Sequence, residues 1–209
     1  MIACAFVAFH GNTSNMTEFN ITGEISARHV HISQKDLEQL MGKGAALDCV
    51  KTLSQPGQFL AAQRVCLIGP KNALENVAII GPIRKETQVE ISRTDTYLLG
   101  IKNVPVRESG NLKDTPGLTL KYGEKTLDIS QGVIVVKRHL HLDTATAEEK
   151  GLKDKDVVTL KFSGERGGIL ENAIVRVSDS YANAVHIDSD EANAMGFGCG
   201  QVTIIQGDK

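Results

Sequence analysis

Hydrophobic and polar positions alternate over short runs along most of the chain, and Gly and Pro separate the runs. In the first half this pattern predicts strands over residues 19–26, 65–68, 77–80 and 89–91, punctuated by Gly69-Pro70 and Gly81-Pro82. A different period follows Ser33: Asp36 stands three positions on, and Leu37, Leu40 and Met41 form an apolar stripe. That is the signature of a helix with Ser33 as N-cap, stopped by Gly42 and Gly44. Residues 94–99 predict a second short helix, and Pro105 and Thr115-Pro116-Gly117 mark a loop-rich connection. The second half repeats the texture, with strands over 118–120, 126–129, 133–137, 157–162, 173–177, 185–187 and 202–205. Thr144 is placed as the cap of a short helix through Lys150, and 190–195 predict another, ended by Gly196. Many short strands and few helices predict a mainly β fold of small β-barrels with short helices.

Composition narrows the class. At 209 residues the chain suits one domain or two small ones, and 41% hydrophobic with 23% charged residues is ordinary for a soluble globular protein. A net charge of −2 and 4% aromatics without Trp exclude a nucleic-acid footprint or a base-stacking surface. No run reaches membrane-spanning length, so no membrane is expected as partner. Cys4, Cys49, Cys66 and Cys199 are scattered without a Cys-x-x-Cys, which reads as free thiols in a reducing cytoplasm. Residues 1–17 stand apart, with an apolar run at 2–9 and a polar stretch at 10–15 that includes His10. With no basic residue ahead of the run and no cleavage site, this reads as a flexible tail or a docking segment, not a signal peptide.

Two stretches carry concentrated chemistry. Arg28-His29-Val30-His31 and Arg138-His139-Leu140-His141 hold four of the six histidines, and apolar flanks place both on strands. Side chains two apart on a strand share a face. Both imidazoles of a pair therefore project together, with Val30 or Leu140 turned the other way. Two neutral imidazoles on one face make most of a facial metal site. The stretches lie 110 positions apart, counted from His29 to His139, and a second correspondence runs ungapped at 96. It matches Leu74-Glu75-Asn76 with Leu170-Glu171-Asn172, Val89-Glu90-Ile91 with Val185-His186-Ile187, Asp95 with Glu191, and Gly100 with Gly196. The chain thus reads as two diverged half-repeats in which Glu90 and His186 are equivalent. Two three-ligand sets follow: His29, His31 and Glu90, and His139, His141 and His186. Three protein ligands leave a coordination position open, as catalytic sites require.

Arg84 lies just before Glu90, and a guanidinium beside a metal suits bidentate binding of phosphate. Residues 105–110 and 163–168 resemble Gly-containing anion loops, although neither fits the Walker pattern. No Gly-x-Ser-x-Gly elbow suggests a serine hydrolase.

Seven ordered segments carry a resemblance over roughly residues 20–206. They begin with Ser26-x-Arg28-His29-Val30-His31, Leu53-Ser54-Gln55-Pro56-Gly57-Gln58-Phe59, Gly81-Pro82-x-Arg84-x-x-Thr87-Gln88-Val89-Glu90 and Ser92-Arg93-Thr94-Asp95. They continue with Pro105-Val106-Arg107-x-Ser109-Gly110, Lys137-Arg138-His139-Leu140-His141 and Val185-His186-Ile187-Asp188. The chain resembles the PduL-type phosphotransacylase (phosphate propanoyltransferase) family. That resemblance implies a phosphate acyltransferase, converting a short-chain acyl-CoA, propanoyl- or acetyl-CoA, and phosphate to acyl phosphate and CoA. It implies two zinc ions. The first, on His29, His31 and Glu90, would meet the CoA sulfur; the second, on His139, His141 and His186, would lie near phosphate. Arg84 and Ser109 would serve phosphate, and Ser26, Lys51 and Asn193 would contact coenzyme A. The implied fold is two β-barrels with a swapped N-terminal strand, one over 28–136 and one formed by 18–27 with 137–209. The implied locations are the bacterial cytoplasm and the microcompartment lumen. A microcompartment shell, docked through the tail, and a homo-oligomer are the candidate assemblies. The alternatives are a binuclear zinc thioester hydrolase, in which metal-bound water replaces phosphate, and a metal-stabilised structural or shell-binding protein.

Overall fold

The computed structural model describes residues 17–207. The tail expected over 1–17, with its apolar run and His10, lies outside the described residues except for Thr17, which opens a strand. In chain order the elements are β1 (Thr17–Ser26), β2 (His29–His31), α1 (Gln34–Met41), β3 (Cys49–Thr52), β4 (Phe59–Ile68), β5 (Ala73–Gly81), β6 (Gln88–Glu90), α2 (Arg93–Leu99), β7 (Val106–Arg107), β8 (Leu118–Tyr122), β9 (Lys125–Ile129) and β10 (Val133–Val136). They continue with β11 (His139–Leu142), α3 (Thr144–Glu149), β12 (Val157–Phe162), β13 (Gly168–Val177), β14 (Ala184–Asp188), α4 (Ser189–Met195) and β15 (Gly200–Gln206).

The fold is mainly β. Strands β1-β14-β11-β13-β12-β15 form a closed barrel, and a nine-stranded sheet ordered β7-β10-β6-β2-β5-β4-β8-β9, with β3 on β4, curls into a half-barrel. Each body has its own apolar core. Val30, Ile32, Leu37, Leu67, Ile79 and Leu120 fill the half-barrel, and Leu140, Leu142, Leu160, Val185 and Ile204 fill the closed barrel.

The strand before each His-x-His belongs to the other body. β1 precedes the first motif but lies in the closed barrel, parallel to β14 with Gly23 opposite Val185. β10 precedes the second motif but lies in the half-barrel, parallel to β6 with Val133 opposite Val89. The exchange is therefore reciprocal, and its register obeys the half-repeat spacings. β2 runs antiparallel to β6 with His29 opposite Glu90, and β11 runs antiparallel to β14 with His139 opposite His186. Local details repeat as well. Ser92 and Asp188 cap α2 and α4, each with a full capping box through Asp95 or Glu191. Asn76 and Asn172 both adopt positive φ, at 59° and 63°.

Three expectations about element bounds shift. Asp143, not Thr144, caps α3 by accepting from the Thr146 N–H at 2.7 Å. β4, β5 and β13 begin earlier than their β-branched cores suggested, because ladder pairing with β3, β4 and β12 carries the weaker residues at their starts. The 163–168 segment, read as an anion loop, connects β12 to β13 and lines no part of the main cavity. Leu140 is fully buried between His139 and His141. Leu140→Ala should cost about 2–5 kcal/mol in denaturant unfolding with an unchanged m-value; a cost under about 1 kcal/mol would show that this side chain does not anchor β11 to the barrel core.

Candidate active site

Strand alternation sends Val30 and Leu140 into the two cores and leaves the four imidazoles on the opposite face. Those imidazoles, with Glu90 and His186, line one cavity of about 390 Å³ between the bodies. The first set is tightly arranged. His29 Nδ1 lies 2.8 Å from the Ala27 carbonyl and His31 Nδ1 lies 3.0 Å from the Ile80 carbonyl. A carbonyl only accepts, so both Nδ1 atoms carry the proton and both Nε2 atoms present lone pairs. Those two Nε2 atoms face each other at 3.2 Å, and Glu90 Oε2 lies 3.5 Å from His29 Nε2. Two acceptors and a carboxylate converging this closely are matched by a cation.

The second set has the same plan. His139 Nδ1 donates to the Lys137 carbonyl at 2.9 Å, which frees Nε2. Both nitrogens of His141 are buried without a hydrogen-bond partner, and its ring stacks on Tyr181 with centroids 4.0 Å apart. His186 Nδ1 lies 3.7 Å from Glu24 Oε2, the carboxylate that β1 brings opposite it in register. In each set the three ligand atoms lie within 4.8 Å of one another. The donors fit zinc, which takes imidazole and carboxylate ligands.

Electrostatics hold the imidazoles neutral. Burial, the neighbouring His29 and Arg84 together push His31 down to about 3. Burial and His186 lower His139 to about 4, and burial with His139, His186 and Arg176 lowers His141 to about 2. His186 is also lowered, chiefly by burial. Burial alone would raise Glu90, but His29, His31 and a hydrogen bond to Ser109 hold it below the usual carboxylate range. At neutral pH these groups present unprotonated nitrogens and a carboxylate, the ligand forms.

The structure brings most of the expected residues together. Arg84 reaches the first set, with Nη2 3.4 Å from His31 Nε2, and Ser26 and Ser109 line the cavity. Lys51 on β3 and Asn193 on α4 are exposed and lie outside the lining. Besides Glu24, three contributors were not singled out from sequence. Gln88 is buried, donates to Glu90 and to Ser109 Oγ at 2.8 Å, and accepts from the Gly110 N–H at 2.7 Å. It thereby couples a ligand of the first set to the 105–110 loop. Arg176 and Tyr181 enter through topology: β13 places Arg176 opposite His141, and its guanidinium lies 5.7 Å from the Tyr181 ring. The only available signal for Gln88 was its place two residues before Glu90 on the same strand face.

The model of the phosphate propanoyltransferase family matches residues 22–198. The chain belongs to the phosphate propanoyltransferase family. This is a family of acyltransferases, and the likeness is not confined to the motifs. A phosphate propanoyltransferase of Thermotoga maritima is 47% identical over 182 residues, 87% of this chain and 86% of the relative. One of Listeria monocytogenes is 44% identical over 87% of this chain and 85% of the relative. One of Enterococcus faecalis is 47% identical over 83% and 82%.

The lowered imidazoles set the pH response of the metal-free member. Unfolded histidines take up protons near pH 6.5, whereas His31, His139 and His141 resist until about 3, 4 and 2. Below pH 6.5 the unfolded state binds more protons, so stability is complete above that pH and falls as pH drops toward 4. Each such imidazole removes up to about 1.4 kcal/mol per pH unit in that window. Melting of chelator-treated protein between pH 7.5 and 4.5 measures this; a flat midpoint would mean that these histidines are not held neutral by the fold.

Proposed function

We propose that this chain transfers a short acyl group reversibly between coenzyme A and phosphate: propanoyl- or acetyl-CoA plus phosphate gives acyl phosphate plus CoA. The observation that carries this reading is the convergence of two His-rich ligand sets and Arg84 on one cavity in a member of this family. Two zinc ions, one per set, would supply Lewis-acid stabilisation of the leaving thiolate and of phosphate charge.

The side chains divide the remaining work. The first set includes the Glu90 carboxylate, whereas the second is three neutral imidazoles, so the second tolerates the more anionic partner. That assigns phosphate to the side of His139, His141 and His186, and the CoA sulfur to the side of His29, His31 and Glu90. Arg84 offers its planar fork to two phosphate oxygens, and Ser109, held by Gln88, adds a hydroxyl donor. Phosphate held this way attacks the thioester carbonyl as an internal reactant. A C–O bond forms, the C–S bond breaks, and CoA leaves as thiolate. No side-chain nucleophile is needed, because the phosphate dianion is competent. Ser26 at the cavity mouth, with Lys51 and Asn193 farther out, is assigned to coenzyme A. The units 28–136 and 18–27 with 137–209 would be the two domains that supply the cavity walls.

No helix among the described residues is long and apolar enough to cross a membrane. The proposal places the enzyme in the bacterial cytoplasm or a microcompartment lumen, with residues 2–9 as the shell-docking run, and allows a homo-oligomer.

A wall of residues around a small cavity discriminates one methylene by roughly 1–3 kcal/mol. Acetyl- and propanoyl-CoA should therefore be used within about a hundredfold of each other, and octanoyl-CoA poorly. Phosphate-dependent CoA release from acetyl-, propanoyl-, butanoyl- and octanoyl-CoA decides this, with metal analysis of the same sample expected to find two zinc ions per chain. CoA release that ignores phosphate would instead make the chain a thioester hydrolase.

Arg84→Ala should lower phosphate use by about 10- to 100-fold while leaving CoA binding near normal, since its charge-assisted hydrogen bonds are aimed at the dianion. Arg84→Lys should recover only part, keeping charge without the fork. An unaltered phosphate dependence in Arg84→Ala would remove this residue from the site.

A further inference from the structure

A second cavity of about 240 Å³ adjoins the main one across Gln55, Gln58, Arg84 and Tyr181, which line both. The outer lining of the second cavity is Pro56, Gly57, Pro82 and Ser180, all exposed, whereas Gln55 is buried and the rest of the shared wall is half-buried. Accessibility thus falls from rim to floor, giving a funnel that is open to solvent and narrows to the four residues shared with the main cavity.

Its lining differs from that of the main cavity. Arg84 is the one charged residue in the funnel lining, which holds no carboxylate; the main cavity combines Glu24 and Glu90 with Arg28, Arg84 and Arg176. Tyr181 forms part of the floor, and behind it stand His141 of the second set and the Arg176 guanidinium. An acid-free channel ending on a guanidinium favours a small anion. The frame is fixed by contacts between the halves. The Gln55 amide donates to the Ala182 carbonyl at 3.0 Å and accepts from the Ala182 N–H at 3.3 Å, which pins the 53–58 loop to the 178–183 loop.

We propose that this funnel opens past Arg84 into the main cavity and is a separate route for the small anionic partner: orthophosphate enters and acyl phosphate leaves by it, while the CoA thioester occupies the main cavity beside Glu24, Ser26 and Ser54. This rests on the acyltransferase reading. A bulky thioester there would obstruct a single opening and force phosphate to bind first. A second opening behind Arg84 removes that constraint, so either substrate adds first.

The test combines the wild-type enzyme with rim variants on two loops. At chemical equilibrium, exchange of labelled phosphate into acetyl phosphate by the wild-type enzyme should persist as acetyl-CoA and CoA are raised together to saturation. Suppression of that exchange to zero would overturn the proposal, because bound thioester would then have to leave before phosphate could arrive. Ser180→Trp and Pro56→Trp should each raise KM for phosphate, and for acetyl phosphate in reverse, roughly tenfold, with KM for acetyl-CoA and CoA within about twofold of wild type. Ser180→Ala should behave as wild type. Melting temperature identifies which Trp variants are folded, and one folded variant suffices because they sit on different loops; should neither fold, the exchange result decides alone. A folded Trp variant with unchanged phosphate KM, or with both KM values raised together, would refute the separate route. Failure of the acyltransferase reading itself shows differently: wild-type enzyme would then release no CoA in a phosphate-dependent way.

Discussion

The antiparallel pairing that sets residue 29 opposite 90 and residue 139 opposite 186 is the constraint on which the site depends. In a strand pair, a one-residue slip turns every side chain to the other face. A slip of β2 against β6 would send His29 and His31 into the core and bring Val30 into the cavity, which burial of Val30 and Leu140 in the two cores forbids. Hydrophobic burial therefore enforces the geometry of the polar site. The cost of leaving a large apolar side chain out of the core, roughly 1.5–3 kcal/mol, is paid by any wrong register.

The reciprocal exchange of β1 and β10 makes the two bodies depend on each other. β1 contributes Glu24 opposite His186, so the carboxylate nearest the second set comes from the strand preceding the first set. The arginines that open the two motifs act in parallel at the same junctions. Arg28 pairs with Asp95 at 2.7 Å and Arg138 with Glu191 at 2.6 Å, and each acid also completes the capping box of the adjoining helix. Arg28 is 43% exposed, so the pair adds little through attraction alone. Its value is geometric, since it ties the start of β2 to a buried helix cap. Thr94 donates its N–H to Asp190 at 2.8 Å, joining equivalent ends of α2 and α4 across the pseudo-twofold relation.

Desolvation sets the electrostatic character of the cavity. Burying imidazoles removes their protons, and the Nδ1–carbonyl hydrogen bonds fix which nitrogen carries the remaining one. The result is a concentration of lone pairs suited to a cation. Arg84 and Arg176 add positive charge around that concentration, so the cavity with metal bound would be strongly electropositive.

The grouping of both candidate sets was legible without coordinates, because a strand period of two puts His-x-His on one face and a duplicated spacing names the third member. The mainly β character was legible too, from short alternating runs between Gly and Pro. Element starts were less so: β4 opens with Phe59 and Leu60 and runs on through Ala61, Ala62, Gln63 and Arg64, which have little strand preference of their own and are ordered by pairing with β3 and β5. Arg176, Tyr181 and Glu24 carry no local signal at all. They reach the cavity only because β13 lies beside β11 and because β1 crosses to the other barrel, which are choices of long-range pairing. The second cavity beside Arg84 arises the same way, where loops 53–58 and 178–183, far apart in sequence, meet through Gln55 and Ala182. Periodicity is a local property and can be read from residues in order; which strands become neighbours depends on burying two cores at once, and that was settled only by the folded chain.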